Sequence, residues 1–281
     1  EPISREVDVV VVGGGGAGVA AATSAVQNGA SVILLEKTAA LGGNTLASGG
    51  GSTTWNAVVP EKVANTDSMP GQTDSLAVFL ENDPATLPEG YSETLTTLQG
   101  QFEEYLAGDT SKMFDSVELH IMQTYYGGLR EDLDGNLIYG NFDFVKTLCT
   151  ESPNSAAWLE SMGAKFNDEL GEPIGSMWKR ALTPVTNNQT ELFDVPMKVF
   201  TDGGGEIIYN TKVEHLIVED GTVVGVTGAQ ADGTPVEVRA KNVVLTTGGF
   251  GANSAMVIEY NNYWPEIKSD IGTTNVASTV G

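Results

Sequence analysis

The chain has 281 residues, enough to bury a substantial core in one large domain or two small ones. Hydrophobic residues make up 41% and charged residues 18%, the balance of a globular protein and not of a disordered one. Against 37 acidic residues stand 14 basic ones; the net charge of -23 repels nucleic acid and anionic lipid, and both are discounted as partners.

The sequence opens at Glu1 without Met and enters a strand almost at once, so it reads as a processed or excised piece. No apolar stretch approaches the ~18 residues that a membrane span requires. The acidic surface, the single Cys149 and the many Thr and Asn residues suit an extracellular or cell-surface protein, with a cytoplasmic one also compatible. One cysteine forms no internal disulfide, so the redox compartment is left undetermined.

Val7 to Val12 is a short apolar run, followed by Gly13-Gly14-Gly15-Gly16-Ala17-Gly18. Val19 to Asn28, rich in Ala, reads as a helix with Gly29 as its stop. Ser31 to Leu35 is a second buried strand ending at Glu36. The unit is βαβ, which implies a parallel sheet with a right-handed crossover. From Thr53 to about Gly140 the pattern weakens. Helices are predicted at Asp74 to Glu81, Glu93 to Leu106 and Ser116 to Tyr125, an acidic and mostly helical excursion from the sheet, centred on residues 56–140. Asn141 to Met162 is predicted as a helical pair broken at Pro153. Strand-like runs follow at Glu206 to Tyr209, Thr211 to Glu219, Thr222 to Gln230, Thr234 to Arg239 and Asn242 to Thr247, with hairpin signals at Asp220-Gly221 and Asp232-Gly233. The expected fold is α/β: a Rossmann-like domain with a parallel sheet, an antiparallel β-meander inserted at about 211–240, and the helical excursion, all within one domain over 1–281.

Gly13, Gly15 and Gly18 form G-x-G-x-x-G between a strand and a helix. The first glycine allows the tight turn, the second lets backbone approach a pyrophosphate, and the third lets helix pack on strand. Phosphates then sit at the helix N-terminus, around Gly16 and Ala17, where free N–H groups and the helix dipole favour negative charge. Glu36 is placed to accept hydrogen bonds from a ribose diol, and its negative charge argues against a 2′-phosphate and so against NADP. NAD and FAD both fit these residues.

The next segment separates them. Glu36-Lys37 is followed by Leu41-Gly42-Gly43-Asn44-Thr45 and then Ser48-Gly49-Gly50-Gly51. This resembles the second glycine-rich stretch of the fumarate reductase/succinate dehydrogenase flavoproteins, closest to the soluble flavocytochrome-type fumarate reductases and the urocanate reductases; ketosteroid dehydrogenases share a similar pattern. Trp158 to Phe166 is similar to the family's WLESLGVKF segment, the run from Thr211-Lys212-Val213 to its small sheet over the adenosine, and Val244 to Phe250 to its VLATGGF return strand.

The resemblance implies FAD as cofactor. It implies contacts from Gly43, Asn44, Thr45, Ser48, Gly49, Gly50 and Gly51, from Lys37, from Val213 through its backbone, and from Thr247 and Gly248. The membrane-bound members attach FAD through a His near the second glycine loop. Here that region reads Asn44-Thr45 and the histidines are His120 and His215, so noncovalent FAD is expected. The family's substrate-clamping domain, catalytic Arg and later flavin segment would follow Gly281, so no catalytic residue is named and the chain alone is expected to be inactive. Three functions stay open: reduction of the C=C bond of an unsaturated carboxylate, a ketosteroid dehydrogenase-like reaction, and a truncated cofactor-binding module. The first two imply a small-molecule substrate, and the family implies an electron-donor domain or protein.

Lys179-Arg180 reads as a solvated basic pair with the flavin as a lesser alternative. Asp132 to Asn136 reads as a turn, and His120 and Cys149 as packing groups. No His, Cys, Asp or Glu spacing fits a metal.

Overall fold

The computed structural model describes residues 1–47, 55–172, 178–261 and 263. β1 (Ile3–Val12) begins earlier than the apolar run requires, and its last three residues, Val10 to Val12, are buried. α1 (Gly16–Gln27) follows the glycine turn. Its end is fixed by Gly29, whose positive φ lets its own N–H reach the Val26 carbonyl (2.9 Å) and the Ala30 N–H reach that of Ala25 (3.1 Å). β2 (Val32–Leu35) is buried throughout, as a strand covered on both faces must be, and the short α2 (Gly43–Ala47) ends the segment.

β3 (Trp55–Asn56), α3 (Pro60–Asn65), α4 (Gln72–Glu81), α5 (Tyr91–Ala107) and α6 (Val117–Gly128) come next, then the small hairpin β4 (Arg130–Glu131) and β5 (Leu137–Ile138), α7 (Phe142–Ser161) and β6 (Ala181–Leu182). After a π-helical turn at Gln189–Asp194 come α8 (Val195–Asp202), β7 (Glu206–Ile208), β8 (Thr211–Glu219), β9 (Thr222–Gln230), β10 (Pro235–Leu245) and α9 (Ser254–Tyr260).

Two compact units result. One carries the described residues of Glu1–Thr53, Ser161–Lys165 and Thr186–Gly281, the other those of Thr54–Glu160 and Phe166–Val185. In the first unit six strands form one sheet in the order β7-β2-β1-β10-β9-β8. β7, β2, β1 and β10 run parallel; β9 and β8 run antiparallel beyond them. The β8–β9 turn places Asp220 and Gly221 both at positive φ, the geometry that matches the twist of a two-residue hairpin. The sheet core holds Val10, Val12, Ile33, Leu35, Val226 and Val238.

The expected strands at 234–239 and 242–247 are a single one. β10 runs unbroken through Ala240-Lys241, where neither residue supplies a turn. Its first half pairs antiparallel with β9 (Pro235↔Ala229), while the whole strand pairs parallel with β1 (Ile3↔Val236 to Val12↔Leu245).

The second unit is mostly helical. α5 turns Tyr91, Leu95, Leu98 and Phe102 inward at helical spacing, against Leu119 and Met122 of α6 and Val145 and Cys149 of α7. Ser116 caps α6, accepting a hydrogen bond from the Leu119 N–H at 3.1 Å. The expected break at Pro153 is absent: α7 is one continuous helix. The proline removes the N–H that would reach the Cys149 carbonyl, and neighbouring serine hydroxyls bond other carbonyls of the same turns. Ser152 Oγ donates to Leu148 O (2.5 Å) and Ser155 Oγ to Ser152 O (2.8 Å). Asp132 to Asn136 is the β4–β5 turn, where Asp132 Oδ1 accepts from the N–H groups of Asp134 and Asn136.

Lys179-Arg180 is not a solvated pair. The Arg180 side chain is 5% exposed and grips Asp115, itself 0% exposed, through Nε to Oδ2 (3.0 Å) and Nη2 to Oδ1 (2.6 Å). Burial pushes the Asp115 carboxyl up and Arg180 pulls it back. Cys149 is buried, which raises its thiol pKa.

His120 is buried too, with no hydrogen-bond partner for Nδ1 among the described residues. Burial, then the Arg180 charge, push its pKa from 6.5 down to about 4. The unfolded chain therefore takes up a proton that the folded chain refuses. The stability this confers is present above about pH 6.5 and is lost as the pH falls towards 4. Urea midpoints measured from pH 7 to 4 should fall more steeply for the parent than for His120→Leu; parallel curves would mean that His120 titrates normally.

Candidate cofactor site

The glycine turn closes the carboxyl end of β1. Gly13 donates its N–H to Leu35 O (2.8 Å) and takes φ +104, which only glycine adopts without strain. A Cβ there would stand 2.6 Å from Thr246 O. At Gly18 a Cβ would lie 1.8 Å from Gly13 O, so helix and turn meet backbone to backbone. Gly15 differs: the nearest atom to a Cβ would be Gly42 O, at 3.9 Å, leaving room for a ligand. Ala17 is exposed at the start of α1.

Glu36 closes the far side. It is buried, and its backbone is clasped on both sides: its N–H donates to Ile208 O (3.0 Å) and its carbonyl accepts from the Thr211 N–H (2.9 Å). Its Oε2 accepts from the Gly14 N–H at 2.7 Å. Its Oε1 accepts from the Thr38 N–H at 2.8 Å and from the Thr38 hydroxyl at 2.9 Å. The half-buried Tyr209 phenol is pushed up by burial, then by the Glu36 charge. Lys37 is exposed.

The second glycine segment docks on the first. Gly42 donates its N–H to Gly14 O (2.9 Å) and bridges Gly15. The Thr45 hydroxyl accepts from the Gly16 N–H at 3.2 Å. Gly43, Asn44 and Thr45 therefore lie beside the N-terminus of α1. Ser48, Gly49, Gly50 and Gly51 fall outside the described residues. Val213 lies on β8 opposite Gly228, where a Cβ would come within 2.0 Å of Lys212 O, so glycine lets the two strands close. It is two residues beyond Thr211, which bonds the Glu36 carbonyl. Thr247 is half-buried and its Cα would touch a Cβ at Gly13 (3.2 Å); Gly248 is exposed just beyond.

Two contributors were missed from the sequence. Thr38 holds the Glu36 carboxylate. Thr246 donates its N–H to Val12 O (2.9 Å), and its hydroxyl lies 2.8 Å from the carbonyls of both Val12 and Gly13. The signal for Thr246 was its place in Val244 to Phe250, where the resembled segment has Ala.

The arrangement is a helix N-terminus behind an open glycine, a fixed carboxylate, and a strand edge leading away from it. It suits a dinucleotide in sequence: pyrophosphate, ribose, adenine. The chain matches the family described as FAD binding domain over residues 8–265. It belongs to that family, and its cofactor is FAD.

This FAD binding domain is 41% identical over 231 residues to an NADH:acrylate oxidoreductase of Vibrio harveyi, a match covering 80% of this chain and 23% of that protein. It is 26% identical over 167 residues to an NADH:fumarate oxidoreductase of Klebsiella pneumoniae, covering 59% and 17%. Among solved structures, the open conformation of a flavocytochrome c3 fumarate reductase matches with a TM-score of 0.66 and 26% identity, covering 99% of this chain and 39% of that one. The chain thus spans only a minor part of the relatives it matches. The likeness to the fumarate reductase flavoproteins read from the motifs holds for fold and for family.

Proposed function

We propose that this domain holds FAD noncovalently for an oxidoreductase that reduces the C=C bond of a small unsaturated carboxylate. The observation that carries the reading is the joined pair of glycine segments with Glu36 fixed between β2 and β8, in a chain 41% identical to an acrylate-reducing relative. When bound, reduced FAD supplies the hydride; the chain's own residues bind and orient. Gly15 leaves space for the pyrophosphate, the Gly16 and Ala17 end of α1 faces its charge, and Thr45 and Asn44 stand beside it. Glu36 and Lys37 flank the ribose, Val213 offers backbone to the adenine, and Thr247 and Gly248 border the turn. Ser48, Gly49, Gly50 and Gly51 lie outside the described residues, and their assignment to the flavin rests on the family resemblance alone. Asn44-Thr45, standing where the membrane-bound flavoproteins of the family carry the attaching His, supports a noncovalent cofactor. Electrons reach the flavin from a donor domain or protein.

The test is a titration of purified protein with FAD. Glu36→Ala should weaken binding by roughly ten- to a hundredfold, since a hydrogen bond to a charged group is worth about 1.5–3 kcal/mol. Acid precipitation of the loaded protein should release all the flavin. Unchanged affinity in the variant, or flavin retained on the precipitate, would overturn the corresponding part.

A further inference from the structure

We propose that Thr38 is a specificity-determining residue of the adenosine site: it saturates one oxygen of Glu36, so that the carboxylate reads a single ribose hydroxyl and not the diol. This rests on the reading that Glu36 faces the ribose of bound FAD.

A carboxylate oxygen has two lone pairs for hydrogen bonding. Oε1 of Glu36 accepts from the Thr38 N–H at 2.8 Å and from the Thr38 hydroxyl at 2.9 Å, and both of its positions are taken. Oε2 accepts from the Gly14 N–H at 2.7 Å and keeps one among the described residues. The Thr38 hydroxyl has one proton, shared between Glu36 Oε1 and Ala40 O at 2.7 Å; with either acceptor the hydroxyl oxygen stands 2.9 Å from Oε1 and fills that position. The Glu36 carboxylate is not free to turn and offer its other edge. Glu36 is buried, its backbone is tied to Ile208 and Thr211, and the Thr38 carbonyl accepts the Asn210 N–H at 2.9 Å, which pins the donor as well as the acceptor. The vacant position therefore lies on Oε2, the oxygen beside the glycine turn. Of two neighbouring ribose hydroxyls, one can donate to it. The other finds Oε1 already filled.

The experiment is a competition against FAD with ADP, 2′-deoxy-ADP and 3′-deoxy-ADP. In the parent protein, removal of one hydroxyl should weaken binding roughly tenfold or more, and removal of the other should change it less than about twofold. Thr38→Ala frees a position on Oε1, so the silent hydroxyl should begin to count and the asymmetry should shrink. Thr38→Ser, which keeps the hydroxyl, should retain the parent's asymmetry. Equal losses for the two deoxy nucleotides in the parent would overturn the proposal, as would an asymmetry that Thr38→Ala leaves intact. A failure of the site reading itself looks different: FAD and ADP would bind the parent and Glu36→Ala equally well, or not at all.

Discussion

Arg180→Met should destabilise the protein by about 3–5 kcal/mol, the range for removing one partner of a buried ion pair. The substitution keeps much of the side-chain volume and deletes the guanidinium. Asp115 is then left fully buried, with the Ser116 N–H (3.0 Å) still hydrogen-bonded but no counter-charge. Denaturant unfolding followed by circular dichroism would read the loss. Protonation relieves an isolated buried carboxylate, so the deficit should narrow as the pH falls. Asp115→Asn combined with Arg180→Met should recover much of it, because the cost lies in the stranded charge. A loss below about 1 kcal/mol would mean that water reaches Asp115.

Gly18→Ala and Gly15→Ala form a contrasting pair. At Gly18 the new methyl would overlap the Gly13 carbonyl, which has nowhere to go: Gly13 is tied to Leu35 through its N–H and to Thr246 through its oxygen. We expect a stability loss at or beyond the upper end of the 1–3 kcal/mol typical of overpacking, together with loss of FAD binding. At Gly15 the backbone sits at φ -76, open to any residue, and the methyl meets no protein atom closer than 3.9 Å. That variant should melt within a few degrees of the parent yet bind FAD at least tenfold more weakly, because the methyl enters the space left for the pyrophosphate. Thermal melts and flavin titrations separate the two. If both variants lost stability alike, the space at Gly15 would belong to the fold and not to the ligand.

The glycine turn, α1, β2 and Glu36 were legible in the sequence because each depends on neighbours close along the chain: a tight turn, a helix stop, an acidic residue at a strand end. The three helices predicted in the excursion were legible for the same reason, through apolar spacing such as Tyr91, Leu95, Leu98 and Phe102. What escaped depended on distant partners. Arg180 looks solvated beside Lys179, and only the fold brings it to Asp115, 65 positions away. Pro153 argues for a break by its own chemistry, yet the packed helix runs through it unbroken. β10 looks like two strands because the segment changes partners partway: its pairing with β9 ends at Arg239↔Gly225 while that with β1 continues. Thr38 and Thr246 carry no motif of their own and matter through the carbonyls and carboxylate they reach.

The unbroken course of β10 bears on how the cofactor is captured. One rigid rod runs from the hairpin that carries Val213's partner strand to Thr246 at the glycine turn. The parts proposed above to take the adenine and the pyrophosphate are thereby joined through one strand before any ligand arrives. Binding then spends little of its free energy on ordering these parts of the protein; the main entropic cost falls on the nucleotide, a long molecule with many rotatable bonds. Such a groove acts as a template for one extended shape of the cofactor. In the proposed site the adenosine half would anchor at this fixed register, and the position of the reactive ring would be set by the distance from that anchor.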